Sequence, residues 1–178
     1  MSAPVPSIAR AAPHDITRAA PHDITRAAPH DITRAAPHDA DALAMVGESE
    51  AELSALYRPE VRNALSPDQL AAAQVFFLVA REDGRAVGCG GLAVCDGYGE
   101  LKRIFVTRAR RGAGIAQAII AALEVEARAR GLTIVRLETG ELSAEALGLY
   151  GKLGYRRRGA FGCYVENGSS VFMEKRLG

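Results

Sequence analysis

The sequence predicts an α+β protein in which helices lie against one sheet. Three observations point to it. Between residues 75 and 175, β-rich runs are interspersed with amphipathic helix-like runs. Glu82-Asp83-Gly84 is a turn tripeptide between two β-rich runs, as in a hairpin. Arg111-Gly112-Ala113-Gly114-Ile115-Ala116 joins a strand-like run, Glu100 to Val106, to a helix-like run, Ile115 to Arg130. The chain has 178 residues, 48% hydrophobic and 24% charged, which suits a single domain with a substantial core.

The elements follow in order. Glu50 to Tyr57 reads as a short helix with Leu53, Leu56 and Tyr57 on one face. Ser66-Pro67-Asp68 starts another: a capping serine, a proline at the first position, then an acid. Val75 to Arg81 and Arg85 to Val94 are the hairpin strands, and Tyr98 to Val106 is the next strand. In the long helix Ile115, Ile119 and Leu123 stack at i, i+4 and i+8. Glu124–Arg128 and Glu126–Arg130 pair across turns on its wet side, and Gly131 ends it. Leu132 to Glu138 is a strand, Ala144 to Lys152 a helix, and strands near Tyr155 to Arg158 and Ser170 to Lys175 close the sheet.

A net charge of +1 gives no broad electrostatic case for nucleic acid. Lys102, Lys152 and Lys175 are the only lysines among 22 basic residues, a bias that reflects genome composition more than phosphate binding. Cys89, Cys95 and Cys163 lack metal-ligand spacing and read as reduced thiols of a cytoplasmic, bacterial protein. No run is long and apolar enough to span a membrane, and the N-terminus lacks a signal-type apolar region.

An eight-residue unit, Ile-Ala/Thr-Arg-Ala-Ala-Pro-His-Asp, starts at Ile8, Ile16, Ile24 and Ile32 and carries all four histidines, His14, His22, His30 and His38. A metal site is not expected there: the histidines are eight residues apart, and each proline breaks a helix that would align them. The unit is too short for a stacking repeat and reads as a tandem duplication.

The glycine turn carries the function. Turning from strand into helix leaves the first amides of the helix unpaired, and these amides and the helix dipole attract an anion. Gly112 and Gly114 lack Cβ atoms, so a phosphate can approach the main chain. No Gly-Lys-Ser/Thr ends the turn, so it is not a P-loop. A dinucleotide site is the alternative, with Gly112-x-Gly114 after a strand and Glu138 placed for a ribose. Against it, Gln117 stands at the third glycine position and no βαβ pattern precedes the strand.

Arg111-x-x-Gly114-x-Ala116 resembles the Arg/Gln-x-x-Gly-x-Gly/Ala loop of the GCN5-related N-acetyltransferases (GNAT). Ala146-Leu147-Gly148-Leu149-Tyr150-Gly151-Lys152-Leu153-Gly154-Tyr155 is similar to that family's Ala-x-x-Leu-Tyr-x-Lys-x-Gly-Phe/Tyr segment. The resemblance covers residues 32–178 and implies a three-layer acyl-CoA N-acyltransferase fold, with a central mixed, mostly antiparallel sheet. It makes Ile32-Thr33-Arg34 the first strand and Pro37 to Val46 the first helix, leaving residues 1–31 as a disordered extension. An identical earlier copy could replace that strand by looping out eight residues, at about 1 kcal/mol, so some register heterogeneity is expected.

The resemblance implies acetyl-CoA as cosubstrate and no metal. It places the pyrophosphate on the amides of Gly112, Ala113, Gly114, Ile115 and Ala116, with charge from Arg111 or Arg110. It lays the pantetheine arm along Ile104, Phe105 and Val106 as an added strand. Ser143 stands where many members have asparagine, and would donate a hydrogen bond to the cofactor with a shorter reach. Tyr150 would protonate the leaving thiolate, and Glu100 would take the amine proton directly or through water. Lys102 and Arg103 should alternate faces, so one of them, Arg103 in our assignment, meets a substrate carboxylate. The acceptor pocket falls in variable segments, 57–66, 95–99 and 161–169, where Phe161 and Tyr164 offer aromatic surface and Glu166 a charge.

The expected reaction is direct transfer, in a ternary complex, to a primary amine of a small molecule: an amino acid, polyamine or antibiotic. A protein N-acetyltransferase or a non-catalytic CoA-binding module is the alternative, and a homodimer is compatible with the chain. A covalent cysteine intermediate is not expected, because every histidine lies in the repeat.

Overall fold

The computed structural model describes residues 30–58 and 65–178. The N-terminal extension expected over residues 1–31 lies outside them, save for its last two residues. Twelve elements follow in order. They are β1 (Asp31–Ala35), α1 (Ala40–Leu56), α2 (Pro67–Ala72), β2 (Phe76–Glu82), β3 (Arg85–Cys95), β4 (Tyr98–Val106), a 3₁₀ turn (Arg108–Arg110), α3 (Ile115–Ala129), β5 (Ile134–Gly140), α4 (Ala144–Lys152), β6 (Arg156–Arg158) and β7 (Ser170–Arg176). The strands form one seven-stranded sheet in the order β1-β2-β3-β4-β5-β7-β6. Every neighbouring pair is antiparallel except β4 with β5.

Two apolar clusters sandwich the sheet. On one face Ile115, Ile119, Ile120 and Leu123 of α3 pack on Leu78, Leu92, Leu101 and Leu137. On the other, Ala42, Met45 and Val46 of α1 and Leu70 of α2 cover Phe77, Val79, Cys89 and Phe105. The result is the three-layer arrangement expected of the chain.

Local signals account for most boundaries. Ser66 caps α2 in a reciprocal box: its Oγ accepts from the Gln69 amide at 3.3 Å, and Gln69 Oε1 accepts from the Ser66 amide at 2.8 Å. Asp83 and Gly84 turn the β2–β3 hairpin with φ of 48° and 76°, the left-handed pair that matches strand twist. Gly131, at φ 75°, ends α3.

The first helix differs from expectation. Two separate helices, 37–46 and 50–57, were expected; the structure joins them into α1. Gly47 does not interrupt it, because mid-helix glycine costs only about 1 kcal/mol and the buried face of α1 outweighs that. Pro37 precedes the helix rather than opening it. Asp39 stands at the N-cap position, yet its carboxylate reaches back to the Ala36 amide at 2.7 Å.

Candidate functional site

The parallel pair β4–β5 makes the site. It is in register only from Gly99–Leu101 to Val135–Leu137. Beyond those residues β4 runs to the glycine turn and β5 runs to α4, so the strands part. The seam opens into a cleft of about 1260 Å³. Ile104, Phe105 and Val106 line one wall, and Glu138, Thr139 and Gly140 the other. A β4 backbone without a neighbour offers N–H and C=O groups to an extended ligand.

The glycine turn closes one end. Gly112 and Gly114 both take φ of 81°, and a Cβ on either would stand in open space. Gly114 is the N-cap of α3, and its carbonyl takes the first helical bond, from the Ala118 amide at 3.0 Å. The amides of Ile115, Ala116 and Gln117 therefore have no carbonyl one turn back, and all three residues line the cleft. Arg111 lies beside them, bonded to the Val106 carbonyl at 3.3 Å and paired with Glu52 of α1 and Glu145 of α4. Arg110, which also lines the cleft, pairs instead with Glu82. These amides and open glycines fit a CoA pyrophosphate, which Arg111 can join by exchanging Glu52 and Glu145 for phosphate.

Tyr150 faces the cleft from α4, 6% exposed, with its ring edge-on to Tyr155 at 5.7 Å between centroids. Burial first, and then the Glu138 carboxylate, pushes its pKa well above the ordinary phenol value. The hydroxyl therefore keeps its proton. Ser143, at the N-cap position of α4, shares a 3.1 Å hydrogen bond with the Tyr57 hydroxyl. The Tyr57 ring rests on Gly140, where a Cβ would meet the phenolic oxygen at 2.1 Å, so glycine there lets the end of α1 reach across the seam.

The other end of the cleft is built from side chains. Gly91 pairs with Lys102 but Cys89 pairs with Phe105, so β4 carries one extra residue. The bulge lies at Arg103, whose φ is 55°. Expected alternation of Lys102 and Arg103 is corrected here: the bulge sends both to the face covered by α1. Arg103 is 6% exposed and fully engaged, donating from Nε to the Leu65 carbonyl at 2.8 Å and pairing with Glu50. Its guanidinium fixes α1 and the start of α2 to β4 instead of standing ready for a substrate carboxylate.

Lys102 is the cation that faces the acidic group. Its Nζ lies 2.6 Å from Glu100 Oε1 and 2.5 Å from the Tyr164 hydroxyl. The Tyr164 hydroxyl donates to the same Glu100 oxygen at 2.6 Å. Glu100 is 6% exposed, and the buried carboxylate is compensated by one cation and one phenol at Oε1 and by the Cys95 thiol at 4.0 Å from Oε2. Burial, then the Glu100 charge, pushes the Tyr164 phenol up.

Phe161 is corrected too. It is 5% exposed, buried edge-on among Tyr98, Tyr164 and Phe172 at 5.5, 5.1 and 5.8 Å, and it supports Tyr164 from behind. Glu166 accepts from the Ala160 amide at 2.9 Å, holding its own loop rather than an amine. Lys102, Glu138 and Tyr57 also line the cleft; the sequence offers Lys102 only as the alternative to Arg103, Tyr57 only as the edge of an acceptor segment, and Glu138 only for a ribose. Glu138 ends a β-rich run beside the seam, a position that becomes visible once β5 is known to be the parallel partner of β4.

Residues 43–155 match the acetyltransferase (GNAT) family. The chain belongs to that family. An IAA acetyltransferase from Azospirillum brasilense is 42% identical over 135 residues, 75% of this chain and 88% of the relative. An uncharacterized N-acetyltransferase, YsnE, of Bacillus subtilis (strain 168) is 30% identical over 138 residues, 76% of this chain and 91% of YsnE. A Klebsiella pneumoniae structure described as an acyl-CoA N-acyltransferase superposes with a TM-score of 0.72 at 36% identity, covering 84% of this chain and 98% of that one. The PaiA N-acetyltransferase of Thermoplasma acidophilum, solved with coenzyme A, shares the fold, with a TM-score of 0.66 at 19% identity over 83% and 99% of the two chains. This GNAT chain is an acetyl-CoA-dependent acetyltransferase. Among the described residues no group of acids, histidines and cysteines is arranged to hold a metal, and no helix is long and apolar enough to cross a membrane.

Proposed function

We propose that this chain transfers the acetyl group of acetyl-CoA to a primary amine of a small molecule, with donor and acceptor bound together. The observation that carries it is the β4–β5 seam, a continuous cleft from the glycine turn, past Tyr150, to the Glu100–Lys102–Tyr164 cluster. When bound, the cofactor supplies an acetyl thioester. The amides of 112–116 and Arg111 hold its pyrophosphate, the backbone of 104–106 aligns its arm, and the Ser143 hydroxyl adds one hydrogen bond. Tyr150 gives a proton to the sulfur. Glu100 receives the amine proton through the Tyr164 hydroxyl that donates to it, so the amine reaches the thioester uncharged.

The acceptor end is partly apolar, with Leu53, Leu56 and Leu65 beside Tyr57 and Tyr164. That wall suits an acceptor with an apolar body. Free thiol released from acetyl-CoA is the assay, run against amino acids, polyamines, aminoglycosides and IAA, the compound named for the Azospirillum relative. Turnover with a small amine is the expected result. Turnover confined to protein N-termini or lysines would overturn the small-molecule class while leaving acetyl transfer intact.

A further inference from the structure

His30 belongs to the histidine repeat, which the transferase reading does not use. It stands one residue before β1, and its side chain is 4% exposed. Its Nε2–H donates to the Ala113 carbonyl at 3.3 Å, across 83 residues of sequence. Its Nδ1 lies 2.8 Å from Glu82 Oε1, off the line of a hydrogen bond, and Glu82 also pairs with Arg110. The start of β1, the end of β2 and the glycine turn thus meet at one buried imidazole.

The Ala113 carbonyl matters because of its peptide plane. In a trans peptide, C=O and the following N–H point in opposite directions. Holding the Ala113 oxygen toward His30 directs the Gly114 amide the other way. Arg111, Gly112, Gly114, Ile115 and Ala116 line the cleft, and Ala113 is not among its lining residues. Both residues flanking Ala113 are glycines with φ of 81°, so little else in the local chain opposes a flip of this peptide.

We infer that His30 is a positioning residue for the anion-binding turn: it fixes the Ala113–Gly114 peptide so that the Gly114 amide faces the cofactor pyrophosphate. The inference rests on the cofactor placement proposed above. It assigns a task to the last histidine before β1, whereas His38, of the same repeat, has a 53% exposed side chain beside Asp68.

The test is the dissociation constant of CoA and of pantetheine, which lacks the pyrophosphate, measured by calorimetry on the full chain. His14 and His22 are replaced by alanine so that no identical copy of the repeat can stand in. His30→Ala should weaken CoA about tenfold and leave pantetheine unchanged. His30→Gln, whose amide nitrogen reaches the Nε2 position, should restore CoA binding; His30→Asn should not, and His38→Ala should match the parent. Equal CoA affinity in His30→Ala and the parent would overturn the inference, as would equal weakening of CoA and pantetheine. Should His30→Ala fail to fold, the Gln and Asn variants decide alone, and equal affinities would overturn it. A parent that binds pantetheine but not CoA would overturn the pyrophosphate placement, and with it this inference.

Discussion

At the α3 end of the cleft the polar groups on offer are backbone amides; at the α1 end they are side chains from β4, the end of α1 and the β6–β7 loop. The amide end needs two glycines in left-handed conformation and a helix start, all within 111–116. The side-chain end needs a bulge, a buried ion pair and a tyrosine 64 residues from the carboxylate it touches. Backbone sites are set chiefly by local conformation, here braced from a distance by the His30 imidazole, and they tolerate change in most other side chains. Side-chain sites depend on long-range packing and are where related enzymes can differ in acceptor.

The largest expected effect is at the amide end. Gly114→Val forces a β-branched residue to φ of 81° and fills the cradle. The dissociation constant of acetyl-CoA should rise at least a hundredfold, about 2.7 kcal/mol, by calorimetry. A rise of less than tenfold would mean the turn is not where the anion binds.

Tyr150→Phe tests the middle of the cleft. Loss of the proton donor should lower kcat by about a hundredfold and leave CoA affinity unchanged. A parallel loss of CoA binding in a titration would assign Tyr150 to packing.

At the side-chain end, Glu100→Gln leaves Lys102 buried without its counter-charge. It should cost roughly 3 kcal/mol in urea unfolding and lower kcat, again sparing CoA affinity. Unchanged kcat at saturating amine would remove Glu100 from the proton path.

Smaller is the effect of the Cys89 thiol under α1, pushed up to about 12 by burial from an ordinary 9.0. A raised native value favours the protonated form. Its contribution to stability is whole below pH 9 and is lost as pH climbs from 9 toward 12. Urea midpoints across that range should fall less steeply in Cys89→Ala than in the parent; equal slopes would count against the buried thiol.

Much of the fold is legible in short stretches. The Ser66 cap, the Asp83–Gly84 turn, the apolar stripe of α3 and the glycine turn all lie within a few residues of their partners. The joining of 37–46 and 50–57 into α1 is not legible locally, because a glycine that would weaken an isolated helix, Gly47, is carried by the packing of α1. The Arg103 bulge is invisible because strand alternation is read one strand at a time, while a bulge is a mismatch between two. Phe161 is misplaced for the same kind of reason. Its environment is assembled from Tyr98, Tyr164 and Phe172, which the chain brings together from three places.

The first strand has an inheritance of its own. Residues 10–39 repeat with a strict period of eight, and His-Asp-Ile-Thr-Arg-Ala occurs three times within them. Deleting any eight consecutive residues inside that tract yields one and the same shorter protein, in which an identical segment again meets the start of α1. Eight is even, so each residue of the incoming segment also faces the side of the sheet its predecessor faced. A change of length by one whole unit is thereby harmless to β1: the His30 position, the edge pairing with β2 and the cleft stay the same.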